Sequence, residues 1–95
     1  MKAIRVNEHG GPEVLACEEV DMPRISEEEV LVKVESAGIN FIDTYQRSGL
    51  YQIPLPSTLG LEAAGTVVET GANVTGLSAG DRVAYTNIAG AYAEF

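Results

Sequence analysis

Basic residues are few in this sequence, and long apolar runs are absent. Basic residues number six against 14 acidic ones, which gives a formal net charge of −8. Nucleic acids and anionic membranes are bound through clustered Lys and Arg, so this balance disfavours both kinds of partner. No apolar run approaches the ~20 residues that span a bilayer, and the N-terminus lacks the apolar stretch of a secretory signal. We therefore expect a cytoplasmic protein with no nucleic-acid or membrane partner.

Local signatures of catalysis are also missing. The sequence has no HExxH, CxxC, GxSxG or P-loop motif, and the glycines at 71, 76 and 80 do not form GxGxxG. The single cysteine, Cys17, is followed by two glutamates that would disfavour a reactive thiolate, so we expect a small buried side chain rather than a nucleophile. The carboxylates of Asp43, Glu62 and Asp81 are too widely spread to indicate an acid–base pair.

Short segments rich in β-branched residues alternate with Gly- and Pro-containing turns along the chain. The clearest is the stretch 30–36, where Val30, Val32 and Val34 alternate with other residues in the period-2 pattern of a half-buried strand. Strands are predicted at residues 2–6, 13–21, 30–36, 59–69, 81–86 and 91–95, the first two forming a hairpin. Regular spacing with one short helix predicts a single small, mainly β barrel.

The one predicted helix covers residues 41–48. Asn40 is a good N-cap, Asp43 three residues later can complement the first turn, and Gly49 suits the left-handed position after the last turn. The simplest interpretation of Asn40 and Asp43 is helix capping alone. Tyr45 and Tyr51 flank the end of this helix and are either packing aromatics or a flat wall for a planar ligand. The only histidine, His9, lies in a Gly-Gly-Pro turn and is predicted to be a surface residue.

Residues 38–43 (GINFID), followed by RSGLY at 47–51, resemble the quinone oxidoreductases of the medium-chain dehydrogenase/reductase superfamily, the zeta-crystallin type. Further motifs match in the same order: HGGPEVL at 9–15, GLEAAG at 60–65 and GDRV at 80–83. The resemblance implies a GroES-like β-barrel, with residues 1–95 as part of an N-terminal catalytic domain. It places the Rossmann cofactor domain outside this chain.

The resemblance also implies an activity, the transfer of hydride from NADPH to a quinone or an activated enone. Asn40 and Ile42 would contact the cofactor, and Tyr45 and Tyr51 would wall the quinone pocket, with no residue of this chain acting as a catalytic group. The isolated chain would be inactive without the cofactor domain. Apolar surface left for that domain predicts self-association, and a homo-oligomer is expected.

Zinc-dependent relatives in the superfamily hold their metal with a cysteine and a histidine at the positions of Asn40 and Leu61. A leucine cannot ligate zinc, and an amide is a poor ligand compared with thiolate or imidazole. The resemblance therefore implies a zinc-free enzyme. Glu62 is expected to be structural, for instance in a salt bridge, and Asp81 with Arg82 is expected to fix a turn.

Two alternatives to an enzyme domain stay open at this stage. One is a stand-alone GroES-like interaction module of the co-chaperonin kind, without enzymatic activity. Such a module needs a mobile hydrophobic loop and a ring-forming interface, whereas the early segment of this chain is short and acidic. The other is a truncated product without function.

Overall fold

Two antiparallel sheets of three strands each form the body of the protein. A computed structural model describes all residues, 1–95. The sheets have the strand orders β2-β1-β4 and β3-β5-β6. The elements in chain order are β1 (Lys2–Val6), β2 (Leu15–Glu19), β3 (Val30–Ala37), α1 (Phe41–Ser48), β4 (Ser57–Thr58), β5 (Glu62–Thr70) and β6 (Arg82–Thr86). The single helix α1 has eight residues, and the chain contains no helix with the length and apolarity needed to cross a membrane.

The predicted N-terminal hairpin is confirmed. Strand β1 pairs antiparallel with β2, from Lys2 opposite Glu19 to Val6 opposite Leu15. The second strand starts later than predicted because Pro12–Val14 forms a single 3-10 turn, with proline at its start. Proline suits this position since its fixed φ is already helical and its missing N–H would have no partner there.

Strand β3 departs from strict alternation. Its pairing with β5 shifts register between Leu31 and Val32 and again between Val34 and Ser36. Leu31 is buried, whereas Val30, Val32 and Val34 are only half-buried. A β-bulge places two residues opposite one and changes the direction in which the following side chains point, so a period-2 pattern does not identify the most buried residue of this strand.

The prediction of a strand at residues 91–95 is wrong. This segment makes only one isolated bridge, between Ala3 and Ala93. Its backbone divides its hydrogen bonds between the two sheets: Glu94 N–H donates to Lys2 O at 3.1 Å, and Val34 N–H donates to Glu94 O at 2.9 Å. The pairing with either sheet is too short to make residues 91–95 a strand, but the segment links β1 to β3. That link supports the predicted barrel.

The core is small and consists mainly of short side chains. The buried apolar residues are Ala3, Val6, Leu31, Leu59, Ala63, Val67 and Ala91. The prediction that Cys17 is buried is wrong, since the structure exposes it. Cys17 lies on β2, at the edge of its sheet, where Ala16 and Glu18 are the more covered residues. Only tertiary packing decides which face of such an edge strand is covered.

Candidate functional site

Helix α1 begins and ends where the sequence predicts. Asn40 has the extended backbone of an N-cap, with φ −128° and ψ 153°, and Gly49 ends the helix in the left-handed region at φ 88°. The backbone N–H of Asn40 donates to Oδ2 of Asp43 at 2.9 Å. The Asp43 N–H in turn donates to the Asn40 carbonyl at 3.1 Å. The predicted helix 41–48 is therefore confirmed.

Asp43 does more than complement the first turn. It is the only buried charged side chain in the protein, with 6% of its surface exposed. Its Oδ2 also accepts a hydrogen bond from the hydroxyl of Tyr92, whereas Oδ1 is buried without a hydrogen-bond partner. Burial raises the pKa of the Tyr92 phenol above its usual value, and the adjacent Asp43 carboxylate raises the pKa further. Sequence analysis missed Tyr92 because nothing local connects it to a helix 49 residues away.

The other end of α1 contacts the loop after β1. His9 Nδ1 lies 3.0 Å from the Gln46 carbonyl oxygen, which can only accept, so the ring nitrogen donates. Gly10 and Arg47 form two hydrogen bonds. Gly10 N–H donates to Arg47 O at 3.0 Å, and Arg47 Nε–H donates to Gly10 O at 3.2 Å. His9 is half-buried against Gly49. The prediction of a plain surface histidine is therefore wrong, since the partners of His9 come from the distant helix.

Tyr45 and Tyr51 contact each other as an aromatic pair. Their ring centroids are 5.3 Å apart and the planes meet at 62°, an edge-to-face arrangement. The backbone also joins them, because Tyr51 N–H donates to the Tyr45 carbonyl at 3.1 Å. The exposed fractions are 37% for Tyr45 and 51% for Tyr51. The two rings thus form an angled surface rather than a flat wall.

The tyrosines belong to a larger exposed surface, which we call the α1 surface. Its members are the exposed apolar residues of the segment around the helix, namely Ile39, Phe41, Tyr45, Leu50 and Tyr51. Ile39 is 86% exposed and Phe41 is 83% exposed. Asn40 and Ile42 lie in the same segment and are half-buried. Several large apolar side chains exposed within one short segment are typical of an interaction or ligand-binding surface.

None of the four predicted site residues lines the three main grooves of the surface. The cavities of about 530, 660 and 470 Å³ are lined by other residues. Asn40, Ile42, Tyr45 and Tyr51 are therefore on or beside an open surface in this chain. An open surface of this kind can form one side of a cleft.

A groove of about 530 Å³ runs beside the start of α1 and includes Gly38 and Glu62. The Glu62 side chain lies so close to Gly38 that an added Cβ there would overlap its carboxylate. Glu62 forms no ion pair, since the two ion pairs of the protein join the Met1 amino group to Glu19 and Arg82 to Glu35. The expected salt bridge of Glu62 is thus not found, and the residue instead packs against the entry to the helix.

The residues present do not fit a catalytic zinc ion. The two positions discussed above carry the amide of Asn40 and the aliphatic side chain of Leu61. The chain also has no group of three or more His, Cys, Asp or Glu side chains placed to hold a metal ion. Zinc in proteins is held by thiolate, imidazole and carboxylate ligands.

The fold agrees with comparisons to known proteins. The profile of the alcohol dehydrogenase GroES-like domain family matches residues 26–94, so this chain belongs to that family. Within the family it is similar to quinone oxidoreductases. It is 53% identical over 91 residues to quinone oxidoreductase 1 of Escherichia coli (strain K12), covering 94% of this chain and 28% of the relative. Against the human quinone oxidoreductase the identity is 41% over 99 residues, covering 100% and 30%.

Solved structures give the same result. Escherichia coli quinone oxidoreductase complexed with NADPH superimposes with a TM-score of 0.95 at 49% identity, covering 99% of this chain and 29% of that one. A mycobacterial protein complexed with NADPH gives 0.93 at 47% identity, covering 99% and 30%. The predicted GroES-like fold and the resemblance to quinone oxidoreductases are confirmed. The chain spans less than a third of the length of these relatives.

Proposed function

We propose that this chain is the N-terminal, substrate-facing part of an NADPH-dependent quinone oxidoreductase. The observation that carries the proposal is the α1 surface, an open apolar face on a barrel that superimposes on an NADPH-bound quinone oxidoreductase. The chain covers 29% of that relative, and the proposal assigns the rest of the site to a nucleotide-binding domain of the Rossmann type. The cleft between the two parts excludes water and aligns cofactor with substrate.

Asn40 and Ile42 are the residues proposed to face the cofactor. An amide side chain offers both donors and an acceptor, which suits the carboxamide and ribose hydroxyls of a nicotinamide nucleotide. Asn40 stands at the helix start with its backbone held by Asp43, so its side chain projects from a fixed position. Ile42 adds apolar contact. NADPH, when bound, supplies the hydride, and this chain supplies orientation.

Tyr45 and Tyr51 are proposed to contact the quinone. Their edge-to-face geometry presents a ring face and a ring edge to a planar substrate. Each hydroxyl can donate a hydrogen bond to a quinone oxygen. Reduction restores an aromatic ring in the product, so a hydroxyl or water can protonate the product oxygen without a strong Lewis acid. We therefore propose that the reaction needs no zinc.

The exposed α1 surface also supports association between subunits or domains. Five large apolar side chains within residues 39–51 are exposed in this chain. Contact with a cofactor domain would cover part of them, and the remainder favours a homo-oligomer.

A chimera tests the proposal. This chain replaces the matching N-terminal segment of the Escherichia coli relative, to which it is 53% identical, and NADPH oxidation is measured with 1,4-benzoquinone as acceptor. We expect quinone-dependent oxidation that survives treatment with a zinc chelator. Replacing Tyr51 by Ala should raise KM for the quinone about 10-fold. Tyr51→Phe removes only the hydroxyl, so its KM shows how much of that loss is due to the hydroxyl and how much to the ring.

Two results would overturn the proposal. A folded chimera that binds NADPH and reduces alkenals or enoyl thioesters, but no quinone, would assign the chain to another branch of the superfamily. A folded chimera without any reductase activity, together with a heptameric ring of the isolated chain in sedimentation, would instead support the co-chaperonin kind of module. Circular dichroism and gel filtration establish that the chimera is folded.

A further inference from the structure

A buried carboxylate stands directly beside the residue proposed to contact the cofactor. Asp43 is 6% exposed, and its Oδ1 has no hydrogen-bond partner. Burial of a charged group with an unpaired oxygen costs free energy. The two hydrogen bonds that Oδ2 accepts, from Asn40 and from Tyr92, offset part of this cost. The burial of Asp43 therefore indicates a role beyond helix capping.

Both donors to Asp43 Oδ2 are informative. One is the backbone N–H of Asn40, at 2.9 Å. The other is the hydroxyl of Tyr92, which lies 3.4 Å from the carbonyl oxygen of Gly38. Tyr92 therefore contacts the chain on both sides of the turn that leads from β3 into α1. Asn40 lies within that turn.

The position of Tyr92 is itself fixed by the barrel. Its carbonyl accepts from Ile4 N–H at 2.8 Å, and its N–H donates to Leu59 O at 3.0 Å. Its ring packs on Gly60, where an added Cβ would lie 2.8 Å from Tyr92 Cδ1. The hydroxyl is thus carried by a segment that both β1 and the β4–β5 connection hold.

We propose that Tyr92 and Asp43 are positioning residues that set the location of Asn40 for cofactor binding. The chain of contacts runs from the barrel through Tyr92 and Asp43 to the Asn40 N–H. This inference rests on the proposed function for its effect on NADPH. The coupling between Tyr92 and Asn40 can be measured without that function.

The protein contains a matched control for simple capping. Ser78 N–H donates to Asp81 Oδ2 at 2.9 Å, which repeats the spacing of Asn40 and Asp43. Asp81 is exposed and has no tyrosine partner. Asp81→Asn therefore removes a charge from a local turn contact while leaving the barrel link intact.

The first experiment measures the Asn40 amide in the 95-residue chain by NMR hydrogen exchange. Tyr92→Phe and Asp43→Asn should each increase the exchange rate of the Asn40 amide at least about 5-fold, whereas Asp81→Asn should leave it unchanged. Amides of β5 serve as an internal reference for global stability. An unchanged Asn40 rate in Tyr92→Phe, or an increase equal to that of the β5 amides, would overturn the proposal.

The second experiment measures the same variants in the active chimera. We expect Tyr92→Phe to raise KM for NADPH about 5- to 10-fold with kcat changed less than about 2-fold, because a binding contact rather than a chemical step is lost. Asp81→Asn should match the parent. An unchanged KM for NADPH in an active Tyr92→Phe chimera would overturn the inference while leaving the proposed function standing. An inactive parent chimera would overturn the proposed function, and the exchange measurement would still decide the coupling.

Discussion

The two ends of helix α1 are held in different ways. At the N-terminal end a buried carboxylate, Asp43, receives hydrogen bonds from Asn40 and from Tyr92 of the closing segment. At the C-terminal end, two hydrogen bonds use backbone atoms of Gly10 and two use the ring of His9. The end that carries the proposed cofactor contact thus depends on one side-chain pair. The end beside Tyr51 depends on several longer hydrogen bonds, of 3.0 to 3.3 Å.

This difference matters for the proposed function. Hydride transfer requires the nicotinamide ring to lie in contact with the substrate, so a small displacement of the group that holds the ring lowers the rate. Quinones vary in size, so a substrate surface benefits from some freedom. Tyr51 is half-exposed and follows Gly49, beyond the end of the helix. The structure therefore combines a fixed helix end, where we propose the cofactor contact, with a less constrained end, where we propose the substrate contact.

The largest expected effect is the loss of the N-terminal anchor. Asp43→Ala leaves the Asn40 N–H and the Tyr92 hydroxyl without their acceptor, and we expect the free energy of unfolding to fall by about 2–3 kcal/mol. Asp81→Ala, at an exposed turn with the same spacing, should cost less than about 1 kcal/mol. Urea denaturation of both variants measures the difference. Equal losses would mean that the Tyr92 contact contributes nothing.

A smaller effect is expected at the C-terminal end. Gly49 has φ 88°, and an added Cβ would lie 3.0 Å from Cγ of His9. Gly49→Ala should therefore cost about 1–2 kcal/mol, from the left-handed backbone and from this tight contact. Gly76 has φ 85° with nothing within 4 Å of an added Cβ, so Gly76→Ala isolates the backbone term. If thermal melting shows the two variants to be equal, His9 does not restrain this end.

The smallest expected effect is a change in the free energy of unfolding at alkaline pH, which should affect the N-terminal contact of α1 and not the C-terminal one. Burial, and then Asp43, raises the pKa of Tyr92 in the folded state above the value of about 10 in an unfolded chain. The stability contributed by the neutral phenol is thus present below about pH 10 and is lost as the pH rises toward the folded-state pKa. The destabilisation caused by Tyr92→Phe should shrink above about pH 10.

Two variants complete the alkaline experiment. Burial also raises the pKa of Tyr85, so the wild-type pH profile contains both tyrosines. Tyr92→Phe removes one of them, and Gly49→Ala, which changes no tyrosine, should show a constant effect from about pH 8 to about pH 11. Urea denaturation across this range provides the measurement. A Tyr92→Phe effect that stays constant would contradict the assigned shift.

Local features were predictable, and long-range ones were not. The limits of α1 follow from Asn40 and Gly49, because capping depends on residues within one turn of the helix end. The partners of Asp43 and His9 lie 49 and 37 residues away along the chain, where no spacing rule connects them. The half-buried His9 and the missing Glu62 salt bridge show the same limit.

The sequence by itself determined the hairpin of β1 and β2, the helix with its caps, the barrel class and the family, because these depend on short-range patterns and on motif order. Only the tertiary structure decided that Leu31 is the most buried residue of β3, that Cys17 is exposed and that residues 91–95 link the sheets. It also decided that Tyr92 meets Asp43. Each of these depends on which faces and backbone groups meet across the barrel, and that is set by the packing of the whole chain rather than by any local pattern.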